Sequence, residues 1–146
     1  MKKYISYVVA LLVVTGSAIS FSACDGNDGP SASEKQMKLL VGTWNISSVK
    51  VDGVDYTNIF DGFKLTFTDA PPTYSPVNGG KVWTEPGQFT FTDGAATQFF
   101  GPAGQVVTIT TLTENALVLE LVWNETSLGM GRTKSIAGNH EFVFTR

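Results

Sequence analysis

The segment Phe63-Lys64-Leu65-Thr66-Phe67-Thr68 constrains the fold more than any other stretch of this chain. Phe63, Leu65 and Phe67 alternate with Lys64, Thr66 and Thr68. That period of two puts one face in a core and the other in water, as in a half-buried β-strand. Gln88 to Thr92 repeats the pattern, with Phe89 and Phe91 on the inward side. Gln105 to Thr113, Ala116 to Trp123 and His140 to Thr145 read as further strands. Trp44 and Ile46 open the first strand, but Val49 and Val51 fall out of phase with them. A bulge near Ser47-Ser48 absorbs such a slip. Turn signals separate these runs: Asp52-Gly53, Asp61-Gly62, Gly79-Gly80, Pro86-Gly87, Asp93-Gly94 and Glu114-Asn115. Short strands at this spacing predict an all-β antiparallel sandwich or barrel.

A short helix precedes the strands. Ser31-Ala32-Ser33-Glu34 is a capping-box sequence, with Ser31 as N-cap and Glu34 reaching back. Met37, Leu40 and Val41 share one face, and Gly42 ends the helix. A helix this short is unstable alone, so it must pack on something.

The N-terminal segment is of another kind. Met1-Lys2-Lys3 is a positive end, Val8 to Val14 a short apolar core, and Phe21-Ser22-Ala23 a small-residue cleavage site before Cys24. Seven strongly apolar residues fall short of the roughly 20 that a spanning helix needs. The segment resembles the bacterial lipoprotein signal, although Phe21 stands where that signal usually has an aliphatic residue. The resemblance implies that residues 1–23 are removed, that Cys24 is lipidated, and that lipid chains hold the protein to the membrane. It implies a place in the cell envelope, on the outer membrane, on its periplasmic or cell-surface side. Residues 24–33, rich in Asp, Gly, Pro and Ser, read as a flexible tether before a single domain at 34–146. Asp25 and Asp28 loosely resemble a surface-export signal of Bacteroidetes lipoproteins.

Charge excludes one class of partner. Without Lys2 and Lys3, the ten Lys and Arg fall to eight against thirteen Asp and Glu, a net of −5. That balance argues against nucleic acid, which needs a basic patch. Cys24 is the single cysteine, so no intrachain disulfide forms. The single histidine, His140, leaves no metal signature and no partner for a nucleophile, so neither cofactor nor catalytic set is expected. His140 lies in phase with Phe142 and reads as a structural residue near a strand end.

The motifs together resemble a family. Gly42-Thr43-Trp44 after a short helix, followed by a meander of strands, resembles the Gly-x-Trp opening of the lipocalin superfamily. Leu40-Val41-Gly42-Thr43-Trp44, Val51-Asp52-Gly53-Val54-Asp55, Gly62 to Thr68, and Gly131-Arg132 with Ser135-Ile136-Ala137-Gly138 resemble phrases of the lipocalin-like lipoproteins of Bacteroidetes. The resemblance implies an up-and-down, eight-stranded barrel, just wide enough for side chains or one small ligand. It also implies that Trp44 plugs one end and that a basic residue ending the last strand, here Arg146, packs on it. The chain lacks the C-terminal helix of that superfamily, so the helix at 34–41 would close the barrel.

The function expected from this resemblance is binding of a small apolar or amphipathic ligand, without catalysis. Phe89, Phe91, Leu119, Phe142, Trp83 and Tyr74 are the candidate lining residues. The alternative is a cell-surface interaction module with a filled barrel. It would bind protein or glycan through loop aromatics: Tyr74, Trp83, Phe99 and Phe100 lie in or beside segments rich in Pro and Gly. A pocket lined by Phe, Leu and Val favours the first, and a packed interior with an exposed aromatic patch the second. Oligomeric state is not legible.

Overall fold

The computed structural model describes residues 29–124 and 137–146. The expected signal peptide, Cys24, most of the tether, and residues 131–136 of the C-terminal phrase lie outside the described residues. Helix α1 spans Ala32–Leu40. Its capping box forms: Glu34 N donates to Ser31 Oγ (3.2 Å), and Ser31 N donates to Glu34 Oε2 (2.6 Å). These two bonds satisfy donors that a helix start leaves without intrahelical partners.

Nine strands follow among the described residues: β1 Gly42–Val51, β2 Val54–Asp55, β3 Lys64–Asp69, β4 Pro72–Val77, β5 Gly87–Gln88, β6 Gln98–Phe100, β7 Val106–Leu112, β8 Ala116–Trp123 and β9 Gly138–Thr145. They form one antiparallel sheet in the order β5-β4-β3-β1-β9-β8-β7-β6, with β2 a spur on β1. Leaving β2 aside, that is eight staves in up-and-down order, with the first and last paired as barrel closure requires. The free edges, β5 and β6, meet where the chain beyond β5 crosses between them. Phe89 N donates to Pro72 O of β4 (3.1 Å), and Thr92 N donates to Gln98 O of β6 (2.8 Å). A bridge between Phe91 and Phe99 joins the seam.

The expected bulge is present, since the β1–β9 register shifts between Ile46 and Ser48. The shift turns Val49 and Val51 into the core. Residues 88–92 do not form one strand as expected. They pair first with β4 and then with β6, because they span the seam. Three strands, β2, β4 and β6, were not anticipated. β4 contains Pro72 and Pro76, which break the side-chain pattern, but its register on β3 runs from Lys64↔Val77 to Asp69↔Pro72. Pro72 accepts from the β5 side, so Pro76, two pairs of residues along, faces the same free edge without an N–H. A proline there blunts an edge against stray pairing.

α1 lies across one mouth of the barrel, touching β3 on one side and β7 on the other. Leu40 and Trp44 are wholly buried beneath it. The opposite mouth is covered by a one-turn 3-10 helix at Thr57–Phe60, which inserts Phe60. The core runs between these two covers.

Candidate functional site

The interior is a continuous run of aromatic and aliphatic side chains. Near α1, Phe67 meets the edges of Phe89 (5.7 Å) and Phe99 (6.0 Å). Phe89 also meets Phe91 at 5.8 Å. Toward the far mouth, Phe63 packs on Phe144, Phe142 and Trp83 at 5.3, 6.0 and 6.3 Å. Trp83 in turn meets Tyr74 (5.4 Å) and Phe142 (6.2 Å) edge-on. Ring pairs in this geometry are favoured by about 0.5–1.5 kcal/mol beyond area burial.

The six residues expected to line a ligand site are therefore brought to the barrel interior, where they serve as one another's packing partners. Leu119 and Phe142 are 0 % exposed, as are Phe63, Leu65 and Phe144 beside them. Those side chains expose no surface to solvent. Tyr74, Trp83 and Phe89 are buried too, and Phe91 is half-buried. Tyr74 sits on β4 and Phe99 on β6, so the reading of Tyr74, Trp83 and Phe99 as surface loop aromatics is corrected. Main-chain pairing carries both short strands into the sheet, and Trp83 fills the seam beneath Gly101. Phe100 alone of those four is exposed, at 53 %. On the outer face it pairs with Val106 of β7. Val122 of β8 is exposed at the same end of the barrel.

Glycines shape this packing. A Cβ on Gly79 would overlap both Cβ and the carbonyl oxygen of Trp83, so the close approach needs a residue without a side chain. Burial pushes the Tyr74 phenol above its ordinary pKa.

His140 is the buried polar residue of this core. Its Nδ1 lies 3.1 Å from the Gly138 carbonyl oxygen. A carbonyl only accepts, so Nδ1 carries the proton and Nε2 is left as a bare acceptor. Among the described residues Nε2 has no hydrogen-bond partner, and neither does Trp83 Nε1. Burial pushes the His140 pKa below its ordinary value. The bond to Gly138 and the charge of Asp52 oppose that shift without cancelling it. Sequence placed His140 in phase with Phe142 but gave no sign of the missing partner. Phe60 and Trp123, which help enclose the far end, were not singled out either, because they stand in turns or at a strand end.

At the α1 mouth, Trp44 Nε1 donates to Leu40 O at 2.8 Å. The Arg146 guanidinium carbon lies 4.2 Å from the Trp44 ring centroid. Beside α1 an open groove of about 790 Å³ is lined by Glu34, Lys35, Lys38, Leu39, Glu114 and Arg146, with Pro30. Three cations and two carboxylates line it, so it has no single sign of charge. Among the described residues no three His, Cys, Asp or Glu side chains are grouped to hold a metal ion.

A family model described as a lipocalin-like domain matches residues 40–119. No curated protein and no solved structure matches the chain.

Proposed function

The chain belongs to the lipocalin-like domain family, and from that premise we propose that it is a binding domain and not an enzyme, held in the outer envelope of a Gram-negative bacterium, of the Bacteroidetes group, by lipid on Cys24. The observation that weighs most is the fully buried interior. With Phe63, Leu65, Leu119, Phe142 and Phe144 at 0 % exposure, an occupant would have to displace side chains already in contact. The barrel is then the domain's core, and recognition of a protein or glycan falls to its outer surface. Cys24 stands eight positions before Ala32, the first residue of α1. A lipid there tethers the α1 mouth toward the membrane and turns the far end outward. Phe100, Val106 and Val122, with Val54 and Ile59, are exposed apolar side chains of that outward end.

A second reading rests on a different observation. The walls are made of Phe, Leu and Val, and the family's barrel is compatible with a small apolar or amphipathic guest, which would enter by displacing one of the two covers. A hydrophobic fluorescent dye separates the two. The filled-barrel reading expects no dye uptake by the folded protein at neutral pH up to millimolar concentration. Saturable uptake that fatty acyl compounds reverse, and that Leu119→Ala or Phe142→Ala alters, overturns it in favour of the interior guest. Turnover of an ester or glycoside dependent on His140 or on a carboxylate pair overturns both.

A further inference from the structure

His140 stands on β9 between Val51 of β1 and Leu121 of β8, with its side chain inside the barrel. Its ring stacks on Phe142 (centroids 5.6 Å, planes 16° apart) and meets the edge of Phe60 (6.5 Å, 84°). Nδ1–H is taken by Gly138, so the unpartnered Nε2 is the atom that would accept a proton. Among the described residues, the cover over this end is the Thr57–Phe60 turn. Phe60 is the buried residue of the 3-10 turn, and it also meets Phe142 edge-on at 5.3 Å. The turn is tied to β1 by Tyr56 N to Val49 O (2.9 Å) and Val49 N to Thr57 Oγ1 (3.0 Å).

Among the described residues, charged groups on the surrounding elements do not compensate a proton on Nε2. Lys50 on β1 and Glu141 on β9 pair with each other at 3.5 Å, one position out of phase with the interior. Glu120 on β8 stands opposite Glu141 in that same outer register. The 3-10 turn itself carries no charge, with Asp55 and Tyr56 before it and Asp61 after it. Asp55 is engaged by Thr57 N at 2.8 Å. Asp52, at the end of β1, is the group whose charge acts on His140, and its Oδ1 already accepts from Asn139 N at 3.0 Å.

We propose that His140 and the Thr57–Phe60 turn form an acid-sensitive gate at the barrel mouth opposite α1. A proton on Nε2 creates a second donor that the aromatic interior cannot pair, and outward movement of Phe60 brings water to it. Above the ordinary histidine pKa of about 6.5 the ring is neutral in both forms and the gate stays closed. Below it the open form, where the ring is hydrated, binds the proton more tightly than the closed form. The ratio of open to closed then rises by at most about tenfold per pH unit, until the pH reaches the lower pKa of the closed form.

Amide hydrogen exchange tests this, with protection factors corrected for the intrinsic effect of pH. The amides of Tyr56, Ile59 and Phe63, bonded to Val49, Tyr56 and Phe60, report the turn. Between pH 7.5 and 5.0 their protection should fall by up to about thirtyfold. The amides of Val118 and Leu119 in β8 should hold theirs. His140→Phe, which keeps a ring but cannot titrate, should make the turn's protection independent of pH over that range. Phe60→Ala should leave it low at both values. Flat protection in the unaltered protein, or the same fall in His140→Phe, overturns the gate. If the variants fail to fold, the imidazole proton resonances of the unaltered protein decide. A midpoint reached together with loss of turn protection supports the gate. Titration at or above 6.5 with the turn still protected overturns it.

Discussion

The guanidinium of Arg146 covers the indole of Trp44 and donates through Nη2 to the carbonyls of Leu39, at 2.9 Å, and of Val41. The end of β9 is thereby tied to the end of α1 and to the entry of β1. Gly42 lies at the junction with φ +126°, and a Cβ there would stand 3.0 Å from Arg146 Nη2. The glycine is required twice, by its backbone angle and by the approach of the arginine. The same three residues carried the resemblance in sequence, and the geometry gives its physical content: the helix C-terminus offers carbonyls without intrahelical partners, and the arginine satisfies two of them.

Arg146→Ala removes the ring contact and those two bonds together. The loss should be about 1–3 kcal/mol, from a cation–π term and released carbonyls that water partly recovers. Chemical denaturation with an unchanged slope measures it. Arg146→Lys keeps the charge but not the fork of donors, and should recover less than half of the loss. A variant as stable as the parent would mean that the contact contributes nothing.

Phe67→Ala tests the inward register of β3. Phe67 is 1 % exposed, and Phe89 and Phe99 press against it edge-on. Transfer and cavity terms together predict a cost of roughly 3–5 kcal/mol. The neighbouring Lys64→Ala on the outer face should fall within about 0.5 kcal/mol of the parent. Similar effects from the two would contradict the assigned face.

Asp93 gives a second, separate dependence on pH. The Thr97 hydroxyl donates to Oδ2 at 2.6 Å, and the amides of Thr97 and Gln98 donate to Oδ1 at 2.8 and 2.9 Å. The Thr97 hydroxyl first, and then the amides, hold this carboxyl below its ordinary pKa, although desolvation works the other way. A depressed carboxylate stabilises the fold above its unfolded pKa of about 3.9, and that stability is lost as pH falls through the lower folded value. Asp93→Asn should therefore melt below the parent at pH 5, and the gap should close in stronger acid as the parent's own carboxyl is protonated. A gap that stays constant down to pH 2.5 would mean that the charge is not what orders the 93–98 turn.

What was legible in the chain was what is local or strictly periodic. The capping box of Ser31 and Glu34 needs only four residues, and the bulge near Ser47 is visible as a change of phase. β8, Ala116–Trp123, alternates cleanly and has the bounds expected of it. β4 was hidden because Pro72, Ser75 and Pro76 carry no inward pattern. Its place comes from main-chain bonds to β3, which side chains do not announce. Phe89 and Phe91 showed their period, but the change of partner between them depends on where the seam falls. That seam also turns Tyr74, Trp83 and Phe99 from apparent loop aromatics into core. For His140 the phase was readable, whereas the lack of a partner for Nε2 among the described residues is a property of the closed barrel alone.

Cys24→Ala tests the anchor on which the proposed setting rests. Its motivation is sequence alone: a positive start, a short apolar core and small residues ahead of the single cysteine. The helix and strands that build the domain run from Ala32 to Thr145, so the substitution should leave denaturation of the domain unchanged. Two or more acyl chains hold a protein stably to a bilayer at about 0.8 kcal/mol per buried methylene, and the variant would have none. The parent should sediment with membranes and partition into detergent, while the variant should appear in the soluble fraction with the same melting curve. A variant that remains membrane-bound in high salt would show that something other than lipid on Cys24 holds the protein there.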